Sequence, residues 1–248
     1  MSRIGPGVHR IGNGLINSYL LEESGDVTIV DTGVSGYWND LPKELAAMGR
    51  SLADVRAVVL THAHSDHIGF AERVRRERDI AVRVHELDAK LARGEEKPAA
   101  PMFAGLRVSP TVRFALYAAI HGGLRNTPIV EVSAYGDGAT LDVPGSPRVI
   151  HVPGHTAGSC ALHLLQRDVL FVGDAFVTYH VLTGVSGPQI SPFTADATRA
   201  LESLSRLERV EAGLALPGHG EPWTGGVAEA VRLTRERAQH AATTTRSI

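Results

Sequence analysis

A chain of 248 residues, 43% apolar and 21% charged, has the balance of an ordinary globular protein. At that length roughly 70–75% of the unfolded surface can be buried, so one large domain needs no covalent staples. The single cysteine, Cys160, excludes an internal disulfide, and a net charge of −2 gives no general attraction to phosphate backbones. Residues 1–10 hold no long apolar stretch. The expectations are therefore a cytoplasmic protein with no signal peptide, no membrane partner, no nucleic-acid partner and a small-molecule substrate.

Short strands are predicted over residues 8–11 and 15–21, joined through Gly12-Asn13-Gly14. A third, β-branched strand over 27–30 ends at Asp31-Thr32-Gly33, and a helix over 38–48 closes at Gly49. Residues 55–60 are apolar apart from Arg56 and read as a strand buried on both faces. A charged amphipathic helix over 70–78 carries Arg73, Arg75, Arg76 and Arg78 on a solvated face, and a strand over 81–85 follows it.

Residues 94–128 break this alternation. A polar loop leads to a helix over 111–120, with Ser109 as its cap and Pro110 in its first turn. Its apolar residues include Val112, Phe114, Leu116 and Ile120. The segment reads as a core helix or as a lid whose Phe114 and Leu116 meet an apolar substrate. Strands return at 129–133, 139–143, 148–152, 159–165 and 169–172. A helix over 194–207, a strand over 214–216, a helix over 226–240 and a frayed tail over 241–248 complete the chain. Strands and helices alternate as in a layered α/β fold, and each half runs strands first and helices later.

The densest chemistry is His62-Ala63-His64-Ser65-Asp66-His67. Three imidazoles and a carboxylate this close together cannot be buried unpaired, because each orphaned polar group costs kilocalories. A metal ion removes the conflict, since imidazole nitrogen and carboxylate oxygen suit zinc, manganese or iron. In extended chain His62 and His64 point the same way, leaving Asp66 and His67 for a second point. Three further segments place a ligand-type residue just after an apolar strand and a glycine: His155, Asp174 and His219. His9, His85, His121, His151, His163 and His240 read as core or face histidines. Cys160 reads as an inert buried thiol. Tyr179 and His180, just beyond Asp174, are candidate substrate contacts.

These motifs resemble the metallo-β-lactamase superfold family. The matching segments are Val30-Asp31-Thr32-Gly33, His62-x-His64-x-Asp66-His67, Pro153-Gly154-His155-Thr156-Ala157-Gly158-Ser159, Gly173-Asp174-Ala175 and Pro217-Gly218-His219-Gly220, within roughly residues 8–221. The resemblance implies an α/β fold of four layers, an αββα sandwich, as one domain over 1–248 with a helical insertion at about 94–128. It implies two divalent metal ions, zinc first and iron or manganese as alternatives. His62, His64 and His155 would hold one, and Asp66, His67 and His219 the other. Asp174 would bridge them, and Asp31 would orient ligands from behind. A hydroxide between the ions would attack a carbonyl, with Asp66 and Asp174 as the catalytic carboxylates.

Within such a family, Asp174 and the missing export signal argue against a β-lactam substrate, and the neutral charge argues against RNA phosphodiesters. An ester, thioester or lactone of modest size is the expected substrate. The alternatives are a phosphodiesterase or β-lactam hydrolase of the same fold, and a metal-binding module without catalysis.

Overall fold

The largely apolar runs at 27–30 and 55–60 pair in parallel at the centre of a seven-stranded sheet in the computed structural model, which describes residues 2–99, 106–123 and 127–246. Parts of the expected insertion (100–105 and 124–126) and residues 1, 247 and 248 lie outside the described residues. In order, the sheet contains β1 (Ser2–Gly5), β2 (Val8–Gly12), β3 (Asn17–Glu23), β4 (Asp26–Val30), β5 (Val55–Val59), β6 (Val82–His85) and β7 (Ser133–Tyr135). β1 to β4 pair antiparallel, and β4 to β7 pair parallel. A second sheet orders β13 (Leu214–Pro217), β10 (Val169–Gly173), β9 (Cys160–Leu164) and β8 (Arg148–His151). β11 (Val177–Tyr179) and β12 (Ser186–Gln189) form a separate hairpin.

Period-two alternation sorts the side chains into three apolar layers. Leu20, Ile29 and Val58 face α1 (Leu41–Ala47) and α2 (Ala71–Arg78), meeting Leu41, Leu45 and Val74. Tyr19, Leu21, Val30 and Val59 face the other way and pack on Val149, Leu162, Phe171 and Leu216 of the second sheet. The outer face of that sheet, with Ala161, Leu170, Val172 and Ala215, is covered by Leu204 and Leu207 after α5 (Ala197–Ser203) and by Val227, Ala230 and Val231 of α6 (Val227–Arg246). The layers run helix, sheet, sheet, helix, the αββα order expected. Among the described residues no helix is long and apolar enough to cross a membrane.

Several elements differ from their predicted form. Residues 139–143 make no strand. Leu141 and Val143 are buried, but Pro144, Pro147 and a left-handed Ser146 turn the chain back after one bridge, Thr140 to Arg148. The predicted helix at 38–48 is a 3₁₀ turn, Ser35–Asn39, and then α1, which restarts with Pro42 in its first turn. The helix expected from 194 begins only at Ala197, where the Asp196 side chain accepts from Arg199 N–H. The tail does not fray at 241, because α6 continues to Arg246. The β12 sequence Ser186-Gly187-Pro188-Gln189 is poor in strand formers and was not foreseen.

The helix of the 94–128 segment is α4 (Val108–Ile120), with Arg107 rather than Ser109 at its cap position. Only Ala118 of this helix is buried, so it is not a core helix. Val108, Val112, Leu116 and Ile120, spaced by four, turn outward, and Leu116 is 57% exposed. Phe114 and Tyr117 turn inward onto Leu15, Val181 and Leu182. Both ends are pinned: Arg107 N–H and Thr111 Oγ1 donate to the Leu182 carbonyl, and Gly36 N–H donates to the His121 carbonyl.

Candidate metal centre

The ligand-type residues all follow strand ends along one rim of the two sheets. His62, His64, Asp66 and His67 follow β5; His155 follows β8; Asp174 follows β10; His219 follows β13. Their side-chain atoms gather into three overlapping trios: His62, His64 and His155; His62, His67 and Asp174; Asp66, His67 and His219. Within each trio the atoms lie within 4.8 Å of one another. Asp174 stands in the middle, with Oδ2 3.4 Å from His155 Nε2 and 3.3 Å from His219 Nε2, and Oδ1 3.6 Å from His67 Nε2. His219 Nε2 is also 3.5 Å from Asp66 Oδ2. The structure brings all seven expected ligand residues together.

A Cβ on Gly218 would overlap Asp174 Oδ1 and His67 Cε1, so only glycine lets this loop come so close. Gly173 lies against Thr61 at φ 50°, a backbone angle that favours glycine.

Hydrogen bonds behind the cluster fix which nitrogen of each ring faces inward. Asp31, at φ 55°, accepts from Thr61 N–H and Thr61 Oγ1 at 2.7 Å each and from His67 Nδ1 at 2.9 Å. Since the Thr61 hydroxyl proton goes to Asp31, its oxygen accepts from His62 Nδ1 at 3.1 Å. Thr194 Oγ1 donates to the Ser191 carbonyl and so accepts from His155 Nδ1, at 3.1 Å. His219 Nδ1 donates to the Leu15 carbonyl. His62, His67, His155 and His219 therefore all present Nε2 to the centre.

The centre has the marks of a place made for cations. His62 Nε2, His67 Nε2 and Asp174 Oδ1 are buried with no hydrogen-bond partner among the described residues, a costly state for a packed interior. Ligands about 2.05 Å from one tetrahedral ion stand about 3.3 Å apart, close to the Asp174 spacings. His64 Nδ1 and His155 Nε2, 2.8 Å apart, share a hydrogen bond that an entering ion would replace. Burial and neighbouring imidazoles hold His62 well below the ordinary imidazole range; burial does the same for His155, with His64 adding to it. Burial works against a charged His67, but Asp31 and Asp174 push it up to about 10. Asp174 is buried yet held well below the usual carboxylate range by His219 and His67. The residues present fit a pair of divalent cations.

Several contributors were not foreseen. Thr61 orients His62. The segment after β12 supplies three contacts: Ser191 Oγ donates to Asp174 Oδ2 at 2.7 Å, Thr194 holds His155, and Phe193 closes the space beside them. Phe193 is at φ 62°, a strained angle for a bulky residue and of the kind that collects at functional sites. The loop before β3 and the first residue of that strand, Asn17, brace the segment that carries His219. Asn17 N–H donates to the Gly218 carbonyl, Asn17 Nδ2 to the Pro217 and Gly220 carbonyls, and Gly220 N–H to the Gly14 carbonyl.

His64 and Asp66, the less buried ligands, border a cavity of about 230 Å³ walled by Pro98, Ala99, Phe114, Ala118 and Phe193. The Phe114 ring lies 6.3 Å from Phe193 and edge-on to His219 at 6.1 Å. Of the four candidate substrate contacts, Phe114 alone lines this cavity. Leu116 points to solvent. Tyr179 lines a separate groove with Gly220 and Trp223, where Arg113 lies 5.7 Å over its ring. His180 is half-buried beyond it and held below the imidazole range by burial, with His219 adding to the effect.

The family model described as metallo-beta-lactamase superfamily matches residues 11–219. The probable metallo-hydrolase YflN of Bacillus subtilis is 28% identical over 237 residues, 88% of this chain and 86% of its own. The acyl-coenzyme A thioesterase MBLAC2 of Bos taurus is 27% identical over 218 residues, 82% of this chain and 72% of its own. A metallo-beta-lactamase family protein from Thermus thermophilus shares the fold with a TM-score of 0.66 at 26% identity, over 96% of this chain and 80% of that one.

Proposed function

Because the chain belongs to the metallo-beta-lactamase superfamily, we propose that its cluster is the active site of a dinuclear metal-dependent hydrolase, acting on a thioester or related acyl ester with an apolar acyl group. The observation that carries this reading is the convergence of unpartnered ligand atoms on His62, His67 and Asp174 beside His64 and Asp66, which border an apolar cavity. The likeness to a protein named an acyl-coenzyme A thioesterase favours the thioester over the lactone.

In this reading His62, His64 and His155 would hold one ion and Asp66, His67 and His219 the other, with Asp174 placed between the two sets. Zinc is the first candidate, and iron or manganese accepts the same donors. Two such ions supply Lewis acidity and a water that ionises near neutral pH. Thr61, Asp31, Thr194 and the Leu15 carbonyl keep Nε2 of four imidazoles turned inward through every turnover. Ser191 fixes one oxygen of Asp174, so this carboxylate cannot swing away. Asp66, partly exposed at the cavity edge, orients the attacking water and takes its proton. Phe114 and Phe193 exclude bulk water and receive the apolar part of the substrate. The proposed setting is the cytoplasm, where a free Cys160 thiol stays reduced.

The test is metal analysis of the purified protein, followed by turnover of acyl thioesters, aryl esters, lactones, phosphodiesters and β-lactams. The expected result is about two ions per chain and the highest kcat/KM on a medium-chain acyl thioester. A fully metal-loaded protein inert on the whole panel would overturn the reading.

A further inference from the structure

Asp88 belongs to none of the motifs that mark the centre. It lies between β6 and α3 (Ala89–Ala92), is 1% exposed, and makes no ion pair with any described residue. A lone buried carboxylate is costly unless its oxygens are filled with donors. Here they are filled from two places. Oδ2 accepts from Ala63 N–H at 3.0 Å and from Thr156 Oγ1 at 2.7 Å, and Oδ1 accepts from Gly158 N–H at 2.7 Å.

Ala63 sits between His62 and His64, while Thr156 and Gly158 follow His155. One carboxylate thus ties together the two turns that carry the three histidines. The tie is closely fitted: a Cβ on Gly158 would stand 2.7 Å from Asp88 Cγ and Oδ1. The hydroxyls behind it run in a single direction. Thr156 Oγ1 gives its proton to Asp88, so it accepts from Ser159 Oγ at 2.8 Å, and Ser159 Oγ accepts Thr156 N–H at 2.9 Å. All five residues of this knot (Asp88, Ala63, Thr156, Gly158 and Ser159) are buried, and none lines the cavity.

We propose that Asp88 is a positioning residue: it sets the separation of His155 from the His62–His64 pair and so tunes the metal affinity of that half of the centre. This inference rests on the reading that these three histidines hold an ion. Asp88 acts through the backbone that carries the ligands.

The experiment compares wild type with Asp88→Asn, Thr156→Val and Thr156→Ser. Zinc affinity is measured by competition with a chromophoric chelator, the visible spectrum of the cobalt-substituted protein is recorded, and the metal-free proteins are melted. An amide at position 88 must turn its NH₂ toward Gly158 N–H or toward Ala63 N–H and Thr156. One of the two ions should then bind about 10–100-fold more weakly, with a changed cobalt spectrum. Thr156→Val, which keeps the carboxylate and is the milder change, should weaken the same ion several-fold. Thr156→Ser, which keeps the hydroxyl, should bind as wild type does. The proposal is overturned if Asp88→Asn and Thr156→Val lower only the melting temperature of the metal-free protein while both zinc affinities and the cobalt spectrum stay as in wild type. A wild type that takes up no zinc at all would overturn the functional reading and this inference together.

Discussion

Asp31 holds His67 by a 2.9 Å hydrogen bond to Nδ1, and the same carboxylate holds Thr61, which in turn holds His62. One buried acid thus sets two imidazoles at once. In Asp31→Asn an amide N–H would face either Thr61 or His67, and one ring would lose its orientation. Zinc affinity should fall about 10–100-fold. Isothermal titration of the metal-free protein measures it, and an unchanged affinity would remove Asp31 from the centre.

Asp174 borders the His155 side and the His219 side alike. Asp174→Ala, and separately His64→Ala, should leave a folded protein with less bound metal. Hydrolysis should fall by about 10³-fold or more, because several kilocalories per mole of charge stabilisation are lost at about 1.4 kcal/mol per decade. Steady-state kinetics alongside metal analysis decide the point; full activity in either variant would contradict the assignment.

Phe114 and Leu116 are two residues apart on one helix, yet one faces the cavity and the other faces water. Phe114→Ser removes an apolar contact of about 1.5–3 kcal/mol and should raise KM for a long acyl substrate about tenfold or more. Leu116→Ser should change KM by less than about twofold. Equal effects from the two variants would dismiss Phe114 as the cavity wall.

Glu72 ties α2 to the segment entering β7. It accepts two bonds from Arg75 and one from Val130 N–H. Arg75 is the main cause holding its carboxyl below the usual 4.5, with burial opposing and Val130 N–H assisting. A carboxyl with a lower pKa when folded contributes its stability fully above the unfolded value. That contribution is lost as pH falls through the folded value. Glu72→Gln should therefore cost about 1–3 kcal/mol at pH 7, and the difference in Tm from wild type should narrow below about pH 4.5. Thermal melts at pH 7 and pH 3.5 check both.

The centre was legible where chemistry is written in local spacing. His62, His64, Asp66 and His67 lie within six residues, and His155, Asp174 and His219 each follow a strand and a glycine. The residues that aim them were not legible. Asp88, Thr61, Ser191 and Thr194 are ordinary polar residues whose partners lie up to 70 positions away, so only folding shows what they touch. The central strands were plain because nearly continuous apolar runs favour burial on both faces, although Arg56 of β5 reaches solvent and pairs with Asp26. β11 and β12 were not, since a short hairpin containing glycine and proline carries no periodicity. Leu116 was misplaced because alternation along a helix does not keep residues two apart on one face.

The brace between residues 13–17 and 217–220 has a consequence for how the protein comes into being. His219 meets Leu15 across 204 positions of sequence, so this histidine reaches its seat only after a very long loop has closed. On the proposed reading, the half of the centre that includes His219 would be completed late in folding. A chain halted before Pro217 would lack both His219 and the Asn17 contacts to the Pro217, Gly218 and Gly220 carbonyls.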